Sequence, residues 1–319
     1  SRMSENTKNL LVELGTEELP PKSLKQLSDA FTSHLVSGLS EAKLIGADTE
    51  YRSFASPRRL AVYIEDVALN QEDSMVERRG PAVKAAFDDA GNPTPAARGF
   101  AGSCKVEVSD LERVQTDKGE WLVYRSMQQG QAAGILIPEI IDTALRKLPI
   151  PKRMRWSDLD AEFVRPVHWL VILHGEDVID TELLSTKSGN HTAGHRFHHP
   201  AMLDLATASD YEAVLAESGY VIAHYDRRQD MITEQVNRLA SEHGGKALLD
   251  PDLLNEVTAL VEWPVAMIGR FDDAFLDVPQ EALISAMQDH QKYFPVVDQA
   301  GRMKPLFIFV SNIDSSHPA

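Results

Sequence analysis

With 319 residues, 43% hydrophobic and 25% charged, the chain is long enough for one large or two ordinary folded domains, and it carries no low-complexity tract. A formal net charge of -16 excludes general adhesion to nucleic acid over the whole surface, so any polyanion has to be met at a restricted basic patch. A single cysteine, Cys104, excludes an internal disulfide and multi-cysteine metal sites, and no apolar run approaches the roughly 18 residues that cross a bilayer; a reducing, cytoplasmic setting without membrane or DNA partners is expected.

Ser1-Arg2 ahead of Met3 reads as a leftover of cloning, and residues 1–8 are expected to be a tag-like, disordered leader. Leu10 to Gly15 (LLVELG) is an apolar run stopped by glycine, which suits a buried strand. Leu24, Leu27, Phe31, Leu35 and Leu39 then recur at helical spacing behind Pro20 and Pro21, residues suited to a first turn. Tyr51 to Ala55 and Leu60 to Val67 read as paired strands. Glu77 to Pro81 reads as a charged turn, followed by a short helical piece and a Gly/Asn/Pro loop at 91–95. Asp117-Lys118-Gly119 marks a hairpin, residues 132–148 a helix, and Gly175-Glu176-Asp177 a second hairpin joining 163–174 to 178–185.

Beyond Pro200 the texture turns helical over 210–217, 226–243 and 251–262, with strands at 265–271, 292–297 and 306–313 around a helix at 279–290. The order of elements is not a regular alternation of strand and helix. It predicts an α+β fold with mixed, mostly antiparallel sheets flanked by helices, divided into residues 9–200 and a helix-rich 201–319. The stop just after a buried-type strand is read as the edge of a longer polypeptide.

Against the acidic background, Arg146, Lys147, Lys152, Arg153, Arg155 and Arg165 crowd one span. Trp156, Phe163, His168, Trp169, His195, Phe197, His198 and His199 are interleaved with them or follow close behind. Guanidinium groups for phosphates beside flat rings for bases point to RNA. The rival reading is a metal-dependent hydrolase, with His191, His195, His198 and His199 joined by Asp204 or Glu212, although the spacing fits no standard zinc signature. No nucleophile elbow, phosphate-binding loop or dinucleotide fingerprint is present, and Cys104 sits in a Gly/Ser stretch, so neither a catalytic residue nor an ATP or metal site is expected. Glu17-Glu18, displayed after a buried strand, suits recognition or helix capping; Arg58-Arg59 and Arg78-Arg79 either extend the basic surface or pair with acids.

The strings LVELGTEELPPKSL (11–24), ASPRRLAV (55–62), ERRGPA (77–82), TDKGEWLVYR (116–125), KLPIPKRMRW (147–156), FVRPVHW (163–169), GHRF (194–197), LVEWPV (260–265) and HQKYFPV (290–296) resemble the beta subunit of the bacterial tetrameric glycyl-tRNA synthetase. The resemblance implies a chain about twice as long, with an HD-type helical domain and an anticodon-binding domain to follow. It implies an alpha2beta2 assembly in which the alpha subunit activates glycine with ATP and Mg²⁺, while the beta subunit holds tRNA(Gly). Part of the chain is expected to be similar to the editing-type domain of the phenylalanine enzyme's beta chain, without editing activity following from that likeness. The chemistry nominates Lys152, Arg153, Arg155, Arg165 and Arg196 for phosphates, with Trp156, His195 and Phe197 beside them.

Overall fold

The computed structural model describes residues 6–150, 154–155 and 162–312. The apolar run near the start becomes β1 (Thr7–Thr16), which takes residues 7 and 8 out of the expected disordered leader. Its side chains alternate between two cores. Leu10, Val12 and Leu14 face the cluster that holds Leu24, Phe31 and Leu35, whereas Leu11 faces Trp169, Tyr211 and Leu215. Burial on both faces explains the lack of polar alternation in LLVEL. The predicted helix is α1 (Leu24–Glu41), whose apolar stripe is buried; it starts after a turn in which Ser23 N–H donates to Pro20 O, so the prolines precede its first turn. Then β2 (Tyr51–Ser56) pairs antiparallel with β3 (Arg59–Ala68), as their alternation predicts.

The chain divides into two compact units, residues 70–132 and the remainder, which takes in residues on both sides of position 200. The smaller unit holds β4 (Ser74–Ala82), α2 (Val83–Ala86), α3 (Pro95–Ser103), β5 (Glu112–Thr116) and β6 (Gly119–Gln128), with strand order β4-β6-β5. Glu77 to Pro81 is strand here and not a turn. Arg125 on β6 donates to Glu77 at 2.9 Å and to Glu112 at 2.5 Å, so cross-strand pairing lets charged residues populate the sheet. The 117–119 hairpin forms as predicted, with Gly119 at φ +130. Helix α3 is unannounced by its two glycines but is started by Pro95 and by Thr94, whose hydroxyl accepts from Ala97 N–H; Cys104 therefore caps a helix instead of lying in a loop.

In the larger unit the chain continues through α4 (Ala133–Arg146), β7 (Met154–Arg155), β8 (Glu162–Phe163), β9 (Val167–His174), β10 (Asp177–Val178), β11 (Glu182–Leu183), β12 (Thr186–Gly189), β13 (His191–Ala193) and β14 (Met202–Asp204). The second hairpin is cut short: only β10 returns on β9, and the chain moves on to a separate β11–β12 pair. The main sheet runs β11-β12-β9-β1-β3-β2, with β10 also on β9; β12 lies parallel to β9 and the other pairings are antiparallel. After α5 (Tyr211–Glu217), α6 (Tyr225–Glu242), β15 (Lys246–Ala247), α7 (Pro251–Leu260), β16 (Val265–Arg270), α8 (Gln280–Ala286), β17 (Phe294–Val297) and β18 (Met303–Ser311), a second sheet of order β15-β17-β18-β16 buries Phe294 and Ile308 against Ile232, Val236 and Val257. The architecture is thus α+β with mixed, mostly antiparallel sheets. Among the described residues no helix is long and apolar enough to cross a membrane.

Candidate functional site

One end of the main sheet carries the site. There Gly15 of β1 stands opposite Arg59 of β3 and Trp169 of β9, so the chain leaving β1 emerges beside the β2–β3 turn and the approach to β9. Gly15 has to be glycine, because a Cβ would lie 1.8 Å from the Trp169 ring. Thr16 N–H donates to Arg58 O at 2.8 Å and Glu17 N–H to Pro166 O at 3.1 Å, which fixes the following segment in place. The result is a cleft of about 610 Å³ lined by Thr16, Glu17, Glu18, Arg58, Arg165, His168 and Arg196.

Each cation is oriented by the protein. Arg58 donates from Nε to Glu262 at 2.9 Å and from Nη2 to Gly194 O at 2.8 Å. Arg165 donates to the carbonyls of Glu18 at 3.1 Å and Val164 at 2.8 Å. Carbonyl acceptors fix a guanidinium without cancelling its charge. Arg196 Nη1 stands 3.5 Å from Glu18 Oε1, and His168 Nε2 stands 3.3 Å from Glu17 Oε1, both pairs being solvent-exposed. Glu262 is buried behind the cleft. Burial would raise its carboxyl, but Arg59 and Arg58, with the hydrogen bond from Arg58, outweigh that and hold it below the usual carboxylate range.

Deeper still, Glu13 is fully buried and accepts from Arg59 at 3.2 Å, Trp169 Nε1 at 2.5 Å, Thr192 Oγ1 at 2.6 Å and the Tyr211 hydroxyl. Arg59 also donates to Ser56 Oγ at 2.9 Å and Ala193 O at 2.8 Å. Burial, then the Glu13 charge, pushes the Tyr211 phenol well above its ordinary value, so it stays a donor. This network ties β1, β3, β9 and β13 together near the sheet end that carries the cleft. The cleft itself presents guanidinium donors for anionic oxygens and two rim carboxylates for hydroxyl or amine groups, an arrangement suited to binding.

Of the residues nominated from sequence, Arg165 and Arg196 line the cleft, and Phe197, 56% exposed, lies beside it with the Arg196 guanidinium 5.8 Å from its ring centre. His195 does not face outward: its ring is fully buried, because Phe197 N–H and His198 N–H donate to Nδ1 at 3.0 and 3.1 Å while Nε2 meets Asn312 O at 2.7 Å. Lys152, Arg153 and Trp156 lie outside the described residues; Arg155 falls in β7, whose side chains are likewise outside them. The metal-hydrolase alternative loses its centre: both His195 nitrogens are engaged, His191 pairs with Asp204 at 2.5 Å on the β13–β14 hairpin, and among the described residues no three His, Cys, Asp or Glu side chains are grouped to hold a metal. Glu262, Asn312 and Glu13 went unnoticed in the sequence. For Glu13 the signal was available, since an acid inside a strand buried on both faces requires partners.

The strings that build this site are those that carried the resemblance, and the family model described as glycyl-tRNA synthetase beta subunit matches residues 10–319. The chain belongs to the glycyl-tRNA synthetase beta subunit family. It is 55% identical over 314 residues to the glycine--tRNA ligase beta subunit of Marinobacter nauticus, covering 98% of this chain and 45% of that protein. It is 51% identical over 313 residues to that of Hahella chejuensis, with 98% and 45% covered, and 50% identical over 312 residues to that of Colwellia psychrerythraea, again with 98% and 45% covered. This beta-subunit chain therefore spans under half the length of the relatives it matches.

Proposed function

We propose that the chain is the tRNA-supporting part of a glycine-tRNA ligase beta subunit, acting in the cytoplasm within an alpha2beta2 assembly. It holds and places tRNA(Gly), while the alpha subunit activates glycine with ATP and Mg²⁺. The observation that carries this reading is the cleft. Within a family named for a tRNA synthetase, three guanidiniums on an acidic chain converge at one sheet end, two of them held in part by backbone carbonyls that orient without neutralising. Recognition at such a place is local, because the acidic remainder repels the polyanion elsewhere. Lys152, Arg153, Arg155 and Trp156 are proposed to extend the contact, with Phe197 offering a ring at the rim. In this reading the metal-dependent step belongs to the alpha subunit.

The test is tRNA(Gly) binding by the alpha–beta complex over a range of salt. Arg165→Ala and Arg196→Ala are each expected to weaken binding roughly tenfold. Each should also reduce the slope of log affinity against log salt by about 0.7 to 0.9. Unchanged affinity and slope in the double variant would remove the cleft from the tRNA path.

A further inference from the structure

His195 is a polar ring with no exposed surface, in a turn whose neighbours Arg196 and Phe197 are exposed. Its hydrogen bonds fix its chemistry. Phe197 N–H and His198 N–H can only donate, so Nδ1 is an acceptor, and Nε2 carries the proton and donates to Asn312 O at 2.7 Å. The ring is therefore the neutral Nε2–H tautomer. A second proton would set an N–H against two N–H groups.

The bonds from this ring lead back to the cleft. On one side they wind the 194–199 turn around the imidazole, helped by His199 N–H donating to His195 O at 3.0 Å. Gly194 permits that winding, because a Cβ there would come within 2.9 Å of the His199 backbone and ring. The same turn offers Gly194 O to Arg58 and carries Arg196. On the other side lies Asn312, whose Oδ1 accepts from Glu262 N–H at 2.8 Å and Trp263 N–H at 3.2 Å. Glu262, fixed in this way, grips Arg58 with one carboxylate oxygen and accepts Arg196 N–H with the other at 3.3 Å. A closed circuit thus runs from His195 to Asn312, to Glu262, and through Arg58 and Arg196 back to the turn.

We infer that His195 and Asn312 are positioning residues for phosphate recognition: a neutral imidazole, donating to Asn312 and accepting from its own turn, sets where Arg58 and Arg196 present their guanidiniums. This rests on the cleft being the tRNA contact. Neither residue touches the RNA; both act through the two arginines. The ring is used as a two-ended spacer, which an apolar core residue of similar size could not be.

A mutant cycle on tRNA(Gly) binding by the alpha–beta complex, with the salt slope measured for each variant, tests the inference. Its variants are His195→Ala, Arg196→Ala and the pair together. His195→Ala is expected to reproduce most of the affinity and slope lost in Arg196→Ala, and the double variant to bind more tightly than the product of the two separate losses, as for residues sharing one path. Should His195→Ala not fold, two milder variants replace it. His195→Asn retains an acceptor near the Nδ1 position and loses the tether to Asn312, and Asn312→Ser cuts that tether from the other end; both are expected to lower the slope. His195 variants with unaltered affinity and slope, or losses that simply add to that of Arg196→Ala, would overturn the positioning role while leaving the cleft in place. No loss in Arg165→Ala and Arg196→Ala themselves would instead overturn the cleft's role, and this inference with it.

Discussion

Two polar sets at one end of the main sheet hold the same kinds of residue in opposite states. In one, Glu13, Arg59, Thr192 and Tyr211 form a closed, buried set in which each charge meets another side chain. In the other, Arg58, Arg165, Arg196, Glu17 and Glu18 line an open cleft, where Arg165 meets carbonyls, Arg196 meets an exposed carboxylate, and Arg58 shares its donors between the buried Glu262 and a carbonyl. Adjacent arginines in one dipeptide fall in different sets: Arg59 is 0% exposed, whereas Arg58 reaches the cleft wall. What separates a structural guanidinium from a binding one is therefore the saturation of its donors, and residue type alone does not reveal it.

The largest effect should come from opening the closed set. Glu13→Gln keeps the shape and removes the charge, leaving buried Arg59 without its ion-paired carboxylate and with only the Glu262 charge to offset it. A loss of about 3 to 5 kcal/mol of stability is expected, read from the urea unfolding midpoint. A loss below about 1 kcal/mol would show that the two sets do not differ in kind.

A smaller effect should follow from acidity. Burial holds His174, His195 and His224 below their ordinary 6.5, so the folded state resists protons that the unfolded chain accepts. Their contribution is present above pH 6.5 and is lost as pH falls below it. The melting temperature should drop between pH 7.5 and pH 5.5, and His195→Asn should make that drop shallower.

The smallest effect on folding belongs to the open set. Arg196→Ala should change stability by less than about 0.5 kcal/mol, since its partner Glu18 is exposed, even as tRNA binding weakens. A large destabilisation would move Arg196 into the structural class.

Where one periodicity dominated, the sequence was readable. The α1 leucines, the β2–β3 alternation and the Asp117-Lys118-Gly119 turn are local signals, and local physics decides them. Elements failed where pairing overruled composition: Glu77 to Pro81 looked like a turn until Arg125 supplied the cross-strand charge, and Gly99 and Gly102 concealed α3 behind the stronger start signal of Thr94-Pro95. The site was half legible for a related reason. Arg165, Arg196 and Phe197 could be chosen as cations and a ring, but the inward turn of His195 depends on Asn312, 117 residues away, and no spacing rule reaches that far.

Residues 70–132 leave and rejoin the larger unit at one point, where Ala133 N–H donates to Leu69 O at 2.8 Å. The backbone on either side is therefore already spliced by a hydrogen bond across the opening. Such a doorway lets a module be grafted, exchanged or trimmed without rethreading any strand of the host sheet. Substitutions or insertions within residues 70–132 therefore leave the strand order and the hydrogen bonds of the arginine cleft with the same connections.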